Sequence, residues 1–200
     1  MREKIITFIE QNNLSTSDVA DVLGRTGLLE GINPIKMGHC AVGEAVFIYA
    51  RNDSNWQIHK TLETLDCTNK IIFVDGIQCD PKLALLGGLV SAYAFKKKAK
   101  AIVCNGKIRD LGEILQKNYK IWCKGYTPIV TTKFETKEID VPNQMDGSIL
   151  VCDECGVVQI PNDKITEDTL EKLKQVKQKE IDWFDKLEKG LSTFQITCKK

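Results

Sequence analysis

Histidine is nearly absent from this chain: His39 and His59 are the only two. Neither has a partner at ligand spacing, so a histidine-built metal site finds no support. Glycine patterns of the GxGxxG and GxxxxGK[ST] kinds are missing, which removes the dinucleotide and phosphate-loop fingerprints. There is no GxSxG elbow; Ser/His/Asp and Cys/His triads stay open but have no local signature. Charge of one sign is missing too. The 28 basic and 27 acidic residues leave a net charge of +1, which gives no electrostatic case for nucleic acid. Long hydrophobic runs are lacking. The longest nearly apolar stretch, Ala84 to Phe95, is too short for a membrane span and holds Gly87 and Gly88. The opening MREKIITFIEQNN is charged and amphipathic, unlike a secretory signal. A soluble cytoplasmic protein is therefore expected, with neither membrane nor nucleic acid as partner. There is no internal repeat and no low-complexity segment.

What is present suits one compact domain. With 42% hydrophobic residues in 200, there is ample material for a core. Eight cysteines are spread along the chain, several inside apolar runs where a reduced thiol acts as a small hydrophobe. Only Cys152-Asp153-Glu154-Cys155 has a metal or redox spacing. A structural zinc site would need a second pair, so strand-and-turn cysteines are the preferred reading.

The periodicity predicts a short amphipathic helix around Ile5, Ile6, Phe8 and Ile9. A second follows, with Thr16, Ser17 and Asp18 as N-cap candidates. Residues 27–43 read as an irregular, glycine-punctuated tract. Ala45 to Tyr49 and Ile71 to Val74 read as strands, the latter stopping at Asp75-Gly76. Ile58 to Leu65 and Leu111 to Lys117 read as short helices; Ile121 to Cys123 and Pro128 to Val130 read as short strands. Gly147 to Cys152, a turn, and Val157 to Ile160 form a predicted hairpin. Thr166 caps a long C-terminal helix whose stripe is Leu170, Leu173, Val176, Ile181, Phe184 and Leu187. The class is α/β with a layered or barrel-like sheet. The expected organisation is a domain over 1–163 and a C-terminal helical extension over 164–200, packed on that domain or reaching to a neighbouring subunit.

The stretch LGGLVSAYAFKKKAKAIVCNGKIRD, Leu86 to Asp110, holds the candidate chemistry. A Gly-Gly pair opens a helical pattern, Leu89 to Ala99. A β-type run, Ala101 to Cys104, comes next. Asn105-Gly106-Lys107 reads as a turn that presents Arg109 and Asp110. Unpaired N–H groups and the helix dipole favour an anion at such a helix start. Arg109 and Asp110 taken alone read as a surface ion pair with Asp110 as an N-cap. Joined to the glycines by one helix–strand unit, they suit an α-keto acid: an anion cradle, a fixed guanidinium and a metal-capable carboxylate.

Five segments in order resemble the RraA-like family, which includes 4-hydroxy-4-methyl-2-oxoglutarate aldolases and the regulator of ribonuclease E activity. They are Asp18 to Gly24, Ile72 to Gly76, Leu86 to Val90, Asn105 to Asp110 and Gly147 to Pro161. The resemblance implies a β/β/α swivelling-type fold and a homotrimer or hexamer with active sites at subunit boundaries. It implies that Gly87, Gly88, Leu89 and Val90 bind the substrate carboxylate and that Arg109 contacts substrate. Asp110 is implied to hold Mg²⁺ or Mn²⁺; Mg²⁺ keeps several waters and so suits sparse protein ligation. The implied activity is a metal-dependent lyase on a small 2-oxo acid, by retro-aldol cleavage to pyruvate or by oxaloacetate decarboxylation. Both routes pass through an enolate that a metal and an arginine stabilise.

The resemblance departs at one position. Aldolase members commonly carry an acidic residue directly after the glycine matching Gly87, and here that residue is Gly88. A retro-aldol step needs a base and decarboxylation does not. Glu180, from the C-terminal helix of a neighbouring subunit, is the candidate base, with His59 behind it. The alternative is a non-catalytic regulator or binding protein. Asp110 argues against it, because the regulator branch tends to lose that carboxylate.

Overall fold

The computed structural model describes residues 1–198. Its sheet grows from the alternating and doubly apolar runs of the chain. Strand β1 is Asn33–Pro34, β2 Ala41–Arg51, β3 Ile71–Ile77, β4 Ala84–Leu86, β5 Ala101–Ile108, β6 Ile121–Tyr126, β7 Ile149–Asp153 and β8 Gly156–Ile160. The strand order is β1-β6-β5-β3-β2-β7-β8, with β4 on β5. Strands β2, β3, β5 and β6 run parallel, while β7 and β8 form an antiparallel hairpin beside β2. The two edges meet. Leu29 N–H donates to Val157 O (2.9 Å) and Gln159 N–H to Gly27 O (2.8 Å), and β1 of the same segment pairs with β6. The sheet thereby closes into a barrel, as full closure removes exposed edges.

Side-chain period two sorts the strands into an inside and an outside. Ile71, Phe73, Ala101, Val103, Trp122, Leu150 and Val157 fill the interior. Trp122 is fully buried there, and its indole N–H donates across the barrel to Asp153 O at 2.7 Å. The intervening residues Ile72, Val74, Ile102, Cys104 and Ile121 face outward onto three helices: α3 (Trp56–Thr64), α4 (Gly88–Lys96) and α5 (Leu111–Gln116). Helices α1 (Arg2–Gln11), α2 (Thr16–Val22) and the start of α6 (Glu167–Glu188) cover the hairpin side through Ile5, Ile9, Val19, Leu170 and Leu173. A short α7 (Thr193–Thr197) follows.

Several expectations change. Asn105-Gly106-Lys107 is not a turn, since β5 runs through to Ile108. An ideal Cβ on Gly106 would lie 2.7 Å from Leu85 Cδ1, so this glycine admits the neighbouring β4 side chain rather than bending the chain. Strand β3 likewise continues past Asp75-Gly76 to Ile77. Pro128 to Val130 forms no strand; Val130 makes one isolated bridge to Ala84. The cap of α2 is Ser15, in a capping box with Asp18. Thr166 does cap α6, but only Leu170 and Leu173 of the stripe are buried; Ile181, Phe184 and Leu187 are exposed.

The CxxC segment is structural. Its Asp153 carboxylate accepts from Thr16 N–H (2.8 Å), Thr16 Oγ1 (2.9 Å) and Cys155 N–H (2.8 Å), tying the hairpin to the start of α2. Cys152 points into the barrel and Cys155 outward, and all eight cysteines are free thiols. Burial pushes the Cys152 thiol well up from its ordinary value, the opposite of what a reactive or metal-binding sulfur needs.

Candidate active site

The site is assembled where β4 and β5 end side by side. Leu86 pairs with Ile108, and Arg109 N–H donates to Leu86 O at 3.1 Å. After Leu86 the chain turns through Gly87 into α4; after Ile108 it turns through Arg109 and Asp110 into α5. Two helix starts therefore face one another at the carboxyl ends of two parallel strands, the usual crevice for ligands in parallel sheets.

Asp110 occupies the N-cap position of α5 in left-handed backbone (φ 59°, ψ 34°), a conformation that Asp tolerates better than most residues. Its side chain makes no capping hydrogen bond to α5. Oδ2 instead accepts the Gly88 N–H of α4 at 3.0 Å and lies 3.4 Å from Arg109 Nε. Arg109 Nε is buried without a hydrogen-bond partner, and no protein acceptor among the described residues takes the other guanidinium nitrogens. Both side chains remain more than one-third exposed. They can meet a ligand while their backbones are held by the sheet.

Gly87 leaves room for that arrangement, and Gly88 leaves room for the Glu113 side chain. A Cβ on Gly87 would collide with Asp110 Oδ2 and would lie 2.8 Å from Arg109 Cγ. A Cβ on Gly88 would lie 2.5 Å from Glu113 Oε2 and 2.8 Å from its Cδ. Of the first-turn amides of α4, that of Gly88 is already occupied by Asp110. Those of Leu89 and Val90 donate to no protein acceptor among the described residues and stay available to an anion.

Glu113 escaped the sequence reading. Asp110-Leu111-Gly112-Glu113 has the D-x-x-E spacing of a capping box, which could have flagged it. Neither carboxylate caps α5; both crowd the Gly87-Gly88 backbone instead. Glu180 lies elsewhere within the chain. It sits on α6 beside the α2 groove, 3.0 Å from Lys177 Nζ. His59 is on α3, and no hydrogen bond joins it to Arg109 or Asp110. Burial, with the Lys133 charge added, holds its pKa below the ordinary 6.5.

Among the described residues, no three His, Cys, Asp or Glu side chains converge as a metal cage. The donors at the site are one carboxylate, Asp110, with Glu113 nearby. That set lacks sulfur and nitrogen and does not suit zinc, but it fits a hard cation that keeps most of its waters.

Comparison with known proteins decides the family. The family model described as RraA-like, Aldolase/RraA, matches residues 16–159. The chain belongs to the RraA-like family. A Thermus thermophilus relative named 4-hydroxy-4-methyl-2-oxoglutarate aldolase is 30% identical over 115 residues, 54% of this chain and 69% of that protein. A solved structure from Pseudomonas syringae pv. tomato superposes with a TM-score of 0.81 at 20% identity, covering 98% of this chain and 93% of that one. The solved Thermus RNA-processing inhibitor RraA gives a TM-score of 0.62 at 25% identity, covering 73% of this chain and 92% of that one. The chain spans only 28% of the length of another relative, the Legionella pneumophila protein DlpA, at 27% identity over 80% of this chain. The RraA-like fold explains the placement of the site: all five resembling segments lie in the barrel or the elements that cover it.

Proposed function

We propose that this RraA-like chain is a divalent-cation-dependent carbon–carbon lyase acting on a small 2-oxo acid. The reactions are retro-aldol cleavage of the 4-hydroxy-4-methyl-2-oxoglutarate type and decarboxylation of oxaloacetate, each releasing pyruvate. The observation that carries the reading is the Gly88 N–H to Asp110 Oδ2 bond at 3.0 Å. It links the anion-binding start of α4 to the carboxylate and guanidinium at the end of β5.

The free Leu89 and Val90 amides would take the substrate carboxylate. Arg109, whose guanidinium is always charged, would donate to the oxygen on which the enolate develops. Asp110 would hold Mg²⁺ or Mn²⁺. Such a cation, when bound, supplies Lewis-acid polarisation of the keto oxygen. We place the protein in the cytoplasm as a homotrimer or hexamer, without nucleic-acid or membrane partners. The net charge of +1 gives no electrostatic pull towards nucleic acid, and no helix among the described residues is apolar and long enough to span a bilayer.

The test is pyruvate release from both substrates with Mg²⁺ and with EDTA, for the native protein and Asp110→Asn. Asparagine also tolerates left-handed backbone, so the loop stays intact. Metal-dependent release that Asp110→Asn abolishes supports the reading; unchanged turnover in the variant overturns it. A second reading, a non-catalytic regulator, draws on the similarity to the Thermus RNA-processing inhibitor. Silence on both substrates would favour it.

A further inference from the structure

We infer that Glu113 is the catalytic base of the site and that it works from the space a residue-88 side chain would otherwise occupy. The inference rests on the lyase reading of the same site. Four observations carry it. Glu113 Oε2 is 2.5 Å from where a Cβ on Gly88 would stand, so the carboxylate lies directly over the first turn of α4. Its neighbour over Gly87 is the Asp110 carboxylate, so both acids of α5 converge on the two glycines. Glu113 has the spacing to cap α5 yet makes no such bond. No salt bridge or side-chain hydrogen bond engages it among the described residues, although lysines pair with acids at many other surface positions.

A carboxylate free of other partners in that space has a defined task. It takes the proton from the 4-hydroxyl of a 4-hydroxy-2-oxo acid. The C3–C4 bond then breaks, its electron pair becoming the pyruvate enolate that Arg109 stabilises, and a carbonyl fragment leaves. The protonated Glu113 returns the proton to C3, which yields pyruvate and restores the carboxylate. No oxidant or reductant is needed. A side chain at position 88 would displace Glu113 from this space.

The experiment compares retro-aldol turnover of 4-hydroxy-4-methyl-2-oxoglutarate with oxaloacetate decarboxylation, in Mg²⁺, for the native chain and three variants. Glu113→Gln is expected to lower retro-aldol kcat by about 100-fold or more, the usual contribution of a general base, with little change in KM. The ratio of retro-aldol to decarboxylation rates should fall, because decarboxylation removes no hydroxyl proton. The acid limb of the retro-aldol pH profile should flatten. Gly88→Ala should lower the same ratio by displacing Glu113. The double variant Gly88→Asp with Glu113→Ala should recover part of the loss by returning a carboxylate to that space. A Glu113→Gln kcat within a few-fold of native, with the acid limb intact, overturns the inference and leaves the lyase reading standing. A native chain silent on both substrates overturns both.

Discussion

Gly88 donates its amide hydrogen to Asp110 Oδ2 at 3.0 Å, joining residues 22 positions apart across the ends of β4 and β5. The bond uses one orphan donor of α4 to orient a carboxylate that its own helix does not bind. The carboxylate is thus oriented by a backbone group that lies just beyond the end of the neighbouring strand.

Gly87 is where this arrangement is most easily broken. A methyl at Gly87 meets Asp110 Oδ2 and Arg109 Cγ together, so both side chains would have to leave their present positions. Gly87→Ala is expected to fold, because its backbone is extended (φ −147°) and open to any residue. With Asp110 as the cation ligand of the proposed function, it should weaken Mg²⁺ or Mn²⁺ binding by about 10- to 100-fold, the range for lost support of a metal ligand. Titration calorimetry checks this, and native-like affinity would contradict the geometry.

Asp153, not the cysteines flanking its turn, holds the hairpin to α2. Asp153→Ala leaves Thr16 N–H and Oγ1 without their acceptor and is expected to cost about 1–3 kcal/mol. Cys155 is exposed and free, so Cys155→Ser should stay within about 0.5 kcal/mol of native. Urea unfolding distinguishes the two. An equal loss in both variants would contradict the assignment of that role to Asp153 alone.

His59 sets an acid-side dependence of stability. Its Nε2 is buried without a partner, and burial first, then Lys133, lowers its folded pKa below 6.5. The unfolded chain therefore binds the proton more readily, so stability rises with pH in this window. The His59 contribution is present above about pH 6.5 and is lost as pH falls through that value towards the folded pKa. His59→Gln should flatten the fall of the thermal midpoint between neutral and acid pH. An unchanged slope would show that His59 keeps its ordinary affinity for protons once folded.

Much of the fold was legible because apolar alternation and glycine punctuation are local signals. Ile71 to Val74, the hairpin around Asp153, and the Thr166 cap all follow from residues close in sequence. Asn105 to Lys107 misled for a specific reason. A glycine in a polar triplet looks like a turn, but Gly106 serves Leu85, which only the pairing of β4 with β5 brings beside it. The long stripe of α6 misled differently: periodicity shows which face is apolar, not whether anything covers it, and beyond Leu173 much of that stripe lies exposed.

The order of motifs along the chain determined the family, the α/β class and the pair Arg109-Asp110, since those depend on residue identity and spacing. Tertiary structure alone decided what each group faces. Asp110 turns from its own helix to the amide of Gly88, and Glu113 comes to rest over a glycine 25 positions earlier. Both results depend on two parallel strands ending at the same height in a closed barrel, a distance in space that no spacing in the sequence encodes.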